Sequence, residues 1–269
     1  MLAGNPRQTN LIFRLLVAGI FLVLFYLTLT LGSLLPNPLS VLMELFSFAR
    51  DGLLFLDARA SLFRWLVGFF LGSIAGLLLA TLSELTNRRW LSWIGGGIND
   101  VNNLLRAVPV IGLPTVIIFV AGFSEWGKVI IIAWGCTFPV WLSTLKRLRP
   151  SEELKDVQST LQLGLARRIM RIGLPSVVSA AYPGLRISVG VGWICVVAAE
   201  WLGVVEGDWL GYGLGRRLWL AQELNNLEMC VAILLVFGLL GLASDSVFRV
   251  GATTLFARVF KFDPTRGAT

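Results

Sequence analysis

Long apolar blocks alternate with short polar connections along this chain. Apolar runs cover 11–33, 60–84, 103–122, 128–145, 176–202 and 229–248. Each approaches the roughly 20 residues that a helix needs to cross a bilayer core. The pattern predicts an all-α polytopic membrane protein with about six transmembrane helices. Pro109, Gly112 and Pro114 interrupt the third run. Such breakers are tolerated where neighbouring helices satisfy the backbone groups they release. The run from Leu11 is longer than the apolar core of a secretory leader, and no small-x-small cleavage site follows it cleanly. A retained first span is expected. Nothing divides residues 1–269 into separate domains, and no clean internal repeat is visible.

The connections add detail. Residues 34–59 open with Pro36-Asn37-Pro38 and predict a short interfacial helix over 40–55. Residues 203–228 carry a glycine-rich run from Gly207 to Gly215, which reads as a loop followed by a helical segment. Gly68, Gly72 and Gly76 recur every fourth residue in the second span. They place three small residues on one helix face, where another backbone can approach closely.

The longest polar interruption runs from Lys146 to Pro175. Within it, Leu154, Val157, Leu161, Leu165 and Ile169 fall on one helical face, with charged residues between them. Pro150 breaks the chain just before. Ser151, Glu152 and Glu153 then supply a capping hydroxyl and two acids at the helix start. Arg167, Arg168 and Arg171 load the later half with positive charge. This helix either lies on the membrane surface or docks in a groove of a cytoplasmic partner.

Composition agrees with a membrane class. Hydrophobic residues make up 56% of the chain and charged residues 14%, with a mean hydropathy of +0.77. Ordinary soluble domains carry about a quarter charged residues. Placing both termini in the cytoplasm puts Arg7, Arg88, Arg89, the 146–175 cations, Arg258, Lys261 and Arg266 inside. It leaves only Arg50, Arg59, Lys128, Arg216 and Arg217 outside, with Arg64 near that face. This asymmetry follows the positive-inside rule. It accounts for the net charge of +7 without nucleic-acid binding.

The chain has no histidine, which removes the commonest general base and metal ligand. Cys136, Cys195 and Cys230 fall within predicted spans, too widely spaced for a zinc site, and read as packing residues. Gly122-Phe123-Ser124-Glu125-Trp126-Gly127-Lys128 mimics a phosphate-binding loop. However, Val129 stands where Ser or Thr should hold magnesium, and no strand precedes the loop. Any ATP that drives this chain must be held by a partner.

At this point the residues resemble a known family. The 146–175 loop resembles the "EAA" loop of type I ABC importer permeases: an acid-Ala-Ala, a later Gly, and an apolar-x-Leu-Pro close. Ile172-Gly173-Leu174-Pro175 matches the close. Two registers fit the start. One places Asp156-Val157-Gln158 on the triplet and Gln162 on the Gly; the other uses Gly164 and places Gln158-Ser159-Thr160 on the triplet. The resemblance implies a coupling helix that includes Asp156, Val157, Gln158, Leu161, Gln162, Gly164 and Leu165 and closes at Pro175.

Further segments resemble the nitrate, sulfonate, taurine and bicarbonate subgroup, in the expected order. They are Pro36-Asn37-Pro38; Ser61-Leu62-Phe63-Arg64 with Gly68; and Arg106 to Pro109 with Leu113-Pro114 and Gly122 to Glu125. The last is Gly190-Val191-Gly192-Trp193 with Ala198-Ala199-Glu200.

The resemblance implies a permease subunit rather than an enzyme. ATP and Mg would sit on cytoplasmic ABC ATPase partners, and a second permease copy would complete a homodimer. A periplasmic or lipid-anchored binding protein would deliver a small oxyanion at a bacterial inner membrane. An ion-coupled secondary transporter is the alternative.

Candidate pathway or gate residues are Arg64, Arg106, Pro109, Arg186, Trp193 and Glu200. A charge at mid-membrane costs roughly 2.5–3.5 kcal/mol on insertion scales, so Arg186 and Glu200 should face a cavity or a partner charge. They are separated by about 21 Å of helix and so cannot pair directly. Arg186 is expected near the cytoplasmic third and Glu200 near the outer mouth. Glu200 serves either as a structural hydrogen bond at a helix end or as a gate. Arg64 and Arg106 are expected to snorkel to an interface, and Trp193 to pack or to line the pathway.

Overall fold

The computed structural model describes residues 36–86, 92–122, 124–148, 174–201 and 211–260, together with Gly19, Val23 and Leu27. Among the described residues the regular structure is entirely helical. α1 spans Pro38–Arg50, α2 Leu53–Thr86, α3 Ser92–Leu105, α4 Leu113–Ala121 and α5 Glu125–Leu148. α6 spans Leu174–Glu200, α7 Leu214–Glu223 and α8 Leu227–Phe260. Among the described residues, four helices are long and apolar enough to cross a membrane, over Leu53–Glu84, Glu125–Lys146, Ser179–Glu200 and Leu227–Thr254. The first expected span, apart from Gly19, Val23 and Leu27, and the whole 151–173 segment lie outside the described residues.

α1 starts where the local chemistry dictates. The Asn37 side chain accepts from the Leu39 N–H at 2.9 Å, and Pro38 occupies the first turn, where no N–H is needed. The helix ends earlier than the expected 40–55. Asp51 caps it, and Gly52 takes φ +74° to turn the chain into α2. α2 therefore begins seven residues before the apolar run at 60–84, because polar Asp57 and Arg59 do not stop a helix whose far side packs.

The 103–122 stretch is not one helix. α3 ends at Leu105, Pro109 precedes a 3-10 turn at Val110–Gly112, and α4 follows. Proline lacks an N–H and pushes its predecessor away from helical torsions, so the break falls at Val108-Pro109. Pro114, by contrast, sits in the first turn of α4 and is tolerated. With 9 residues, α4 is about 14 Å long, half a membrane crossing.

α2, α5 and α6 form the centre of the bundle. α2 and α5 run parallel, with the glycine stripe as their seam. A Cβ at Gly68 would meet Ile132, one at Gly72 the Ala133 carbonyl, and one at Gly76 the Thr137 carbonyl. α6 runs antiparallel to α5, and Gly184 lies against the Pro139 carbonyl.

Polar cross-bonds hold this second contact. Ser188 donates to the Cys136 carbonyl at 2.9 Å, and Ser143 accepts from Gly184 N–H at 3.1 Å while donating to the Ala180 carbonyl at 3.0 Å. Trp65, Phe69, Trp193 and Phe237 fill the core between α2, α6 and α8. Trp193 stacks on Trp65 at 5.3 Å and donates to Ser244 at 3.2 Å. Cys136 and Cys195 are buried free thiols in this packing.

Candidate functional site: a charge cluster at one end of the bundle

The starts of α2, α5 and α7 meet the end of α6 at one end of the bundle, and there the charged residues converge. The Arg64 side chain is fully buried. This corrects the expectation that it snorkels. Its five N–H donors are all engaged. Nε and Nη2 form a fork on Glu125 at 2.7 Å each, and Nη2 also donates to the Gly211 carbonyl at 2.8 Å. Nη1 reaches Glu200 at 2.9 Å and the Tyr212 carbonyl at 3.2 Å. A planar fork can satisfy two carboxylates and two carbonyls at once, which a lysine ammonium cannot.

Glu200 is fully buried at the last turn of α6. A helix C-terminus disfavours a carboxylate, so its partners must offset that field. Besides Arg64, the Ser61 hydroxyl donates to it at 2.8 Å and the Gly215 N–H at 2.7 Å. Gly215 lies in the first turn of α7, where free N–H groups and the helix field favour an anion. Ser61 also accepts from the Leu214 N–H at 2.8 Å. Gly213 takes φ +83°, and a Cβ there would fall on Glu200 and Arg64, so the chain passes this point only as glycine.

Two further pairs close the cluster. Lys128 is buried and donates to Glu125 at 2.6 Å. Arg217 donates to Asp57 at 2.9 Å and lies over the rings of Phe48 and Tyr212. Asp57 also accepts from the Gly213 N–H at 3.3 Å. Three cations therefore meet three carboxylates. The segment that mimics a phosphate loop is the start of α5: Ser124 caps it by accepting from Gly127 N–H at 3.1 Å, and its lysine belongs to this cluster.

Of the six pathway candidates, the structure brings together Arg64 and Glu200. Arg186 lies elsewhere, half-exposed, with its Nε 3.3 Å from Asp245 of α8. Trp193 is buried in the core. Arg106 and Pro109 are exposed beside the break after α3. Pro175 is the second residue of α6, whereas Asp156, Val157, Gln158, Leu161, Gln162, Gly164 and Leu165 lie outside the described residues. The sequence reading missed Asp57, Ser61, Glu125, Lys128 and Arg217 as members of one site. Part of the signal was present: Asp57, Ser61, Glu125 and Lys128 are polar residues at the rim of an apolar run, and Ser61, Arg64 and Glu125 all sit in segments already singled out.

The model of the family described as binding-protein-dependent transport system inner membrane component matches residues 68–253 of the 269. That range holds most of α2 and all of α3 to α7. A Bacillus subtilis protein named for aliphatic sulfonates transport, the permease SsuC, is 26% identical over 90% of this chain and 84% of its own length. The bicarbonate transport system permease protein CmpB of Synechococcus elongatus is 25% identical over 85% of this chain and 84% of its own. The nitrate import permease protein NrtB of Synechocystis is 23% identical over 80% and 78%.

Proposed function

The chain belongs to the binding-protein-dependent transport system inner membrane components, the multi-pass permease subunits of ABC importers, and from that premise we propose that it carries a small oxyanion. Sulfonate, bicarbonate and nitrate, the solutes in its relatives' names, share that chemistry; taurine belongs to the same class. The observation that carries the importer role is the family match across 68–253, which encloses most of the packed α2–α5–α6 unit.

In this reading two copies form the pathway, with both termini in the cytoplasm of a bacterial cell. The 151–171 helix of each copy docks on a cytoplasmic ATPase, and that partner, not this chain, holds ATP and Mg. ATPase closure pushes the docked helices and rocks the bundle from inward-open to outward-open. A binding protein delivers the solute at the end where α6 meets α7. The Arg64–Glu125–Glu200 cluster keeps the helices at that end moving as one body, rather than binding solute itself. A solute-binding role would need free donors, and the donors of Arg64 are taken.

The test is co-purification with the ATPase encoded beside the gene, followed by uptake in proteoliposomes. Replacing 156–165 by a Gly/Ser linker is expected to abolish the complex and ATP-driven uptake. Uptake by the lone chain on a proton or sodium gradient would overturn the proposal in favour of a secondary transporter.

A further inference from the structure

Away from the charge cluster, a groove of about 460 Å³ opens between the segment after α3, the second half of α5 and α6. Its lining includes Arg106, Phe138, Leu142, Ser143, Lys146 and Ile187. It contains two cations and no carboxylate. Both cations are exposed, and neither side chain forms an ion pair or hydrogen bond among the described residues. The carboxylates of the charge cluster lie at the opposite end of α5 and α6, and Asp245 of α8 is paired with Arg186. The Ser143 hydroxyl is also spent, on Ala180 and Gly184.

Lys146 ends the spanning segment of α5, and Phe138 lies about 12 Å further in along the helix. The groove therefore runs from the edge of the bilayer toward its interior. A guanidinium with no carboxylate partner among the described residues needs water and a counter-charge there. Apolar walls from Phe138, Leu142 and Ile187 concentrate the field of the two cations within the groove.

We propose that this groove is an oxyanion station, in which Arg106 and Lys146 together hold one sulfonate-, nitrate- or phosphate-type group. The occupant comes either from the transported solute or from the headgroup of an anionic lipid, since both present the same charged oxygens. The solute arm rests on the importer reading; the anion chemistry of the groove does not.

The test uses the permease–ATPase complex in phosphatidylcholine nanodiscs without binding protein, titrated with methanesulfonate or nitrate at constant ionic strength. Thermal stability is the readout. A saturable rise is expected, with the midpoint concentration raised about tenfold in Arg106→Gln and in Lys146→Gln, as for loss of one charge-assisted contact. Arg106→Lys should recover much of the response. Both positions are exposed, and monodisperse elution of the variant complexes with an unchanged ligand-free melting temperature checks that they fold.

A response to methanesulfonate assigns the station to solute. A response only to phosphatidylglycerol in the disc, lost in both variants, assigns it to lipid. No response to either, or one that both Gln variants retain, overturns the site. If no ATPase co-purifies, the importer reading fails, and the same titration on the permease alone still decides the groove.

Discussion

Glu200 and Arg64 form one ion pair, yet removing either partner should not cost the same. Arg64 has a second carboxylate, Glu125. Among the described residues Glu200 has no second cation; its other donors are the neutral Ser61 hydroxyl and Gly215 N–H. Arg64→Met therefore strands a fully buried carboxylate and leaves the Gly211 and Tyr212 carbonyls without their donor. Breaking a buried pair in this way costs about 3–5 kcal/mol. Glu200→Gln keeps an acceptor and the packing while Arg64 stays neutralised by Glu125, so the loss is that of one charge-assisted bond, about 1.5–3 kcal/mol. The double variant strands no charge at Glu200 and should be more stable than Arg64→Met alone. The assay is reversible unfolding in mixed detergent–denaturant micelles, read by tryptophan fluorescence across the four proteins. A Glu200→Gln loss equal to or larger than that of Arg64→Met, or a strictly additive double variant, would refute the asymmetry.

Other positions give sharper local tests. Gly72→Ala places a methyl on the Ala133 carbonyl and should cost about 1–3 kcal/mol through overpacking. Gly238→Ala has nothing within 4 Å and should stay within about 0.5 kcal/mol in the same unfolding assay. Ser61→Ala removes the acceptor of the Leu214 N–H. Hydrogen exchange at 213–216 should accelerate while exchange in the middle of α5 is unchanged; uniform acceleration would mean global destabilisation instead. Gly213→Ala adds a methyl at φ +83° beside Arg64 and Glu200. It should lose more stability than Gly211→Ala, which shares the positive φ but has nothing within 4 Å.

The apolar runs made the helical class legible, because a spanning helix must be apolar over most of its length. The glycine stripe at 68, 72 and 76 was legible as a seam, but its partner was not: spacing says which residues are small, not which helix approaches them. The break in 103–122 was visible as Pro109, yet hydropathy alone joined its two sides. Distance from the span's edge alone makes Arg64 a snorkelling residue. The partners that bury it, Glu125 and Glu200, are 61 and 136 residues away, beyond any local pattern.

Sequence left Glu200 with two roles, a structural bond at a helix end or a gate, and the number of donors on its two oxygens favours the structural one. A gating carboxylate must exchange partners as the pathway opens. Glu200 instead ends α6 with Arg64 from α2, Ser61 from α2 and Gly215 from α7 all on its two oxygens. Releasing it would expose an unpaired charge in a site with no solvent access, at several kcal/mol. The expectation is that α2, α6 and the start of α7 move as a unit at this end and that opening falls at a softer boundary, for which the break at Val108-Pro109 is the candidate. Among the described residues no side-chain hydrogen bond crosses it, and α4, which follows it, is only 9 residues long. A cysteine pair cross-linking Pro109 to α6 should block transport while leaving ATP hydrolysis measurable. The same cross-link placed between α2 and α7 at positions outside the charge cluster should leave transport intact. Equal inhibition by both would place the moving boundary within the cluster and restore the gating role of Glu200.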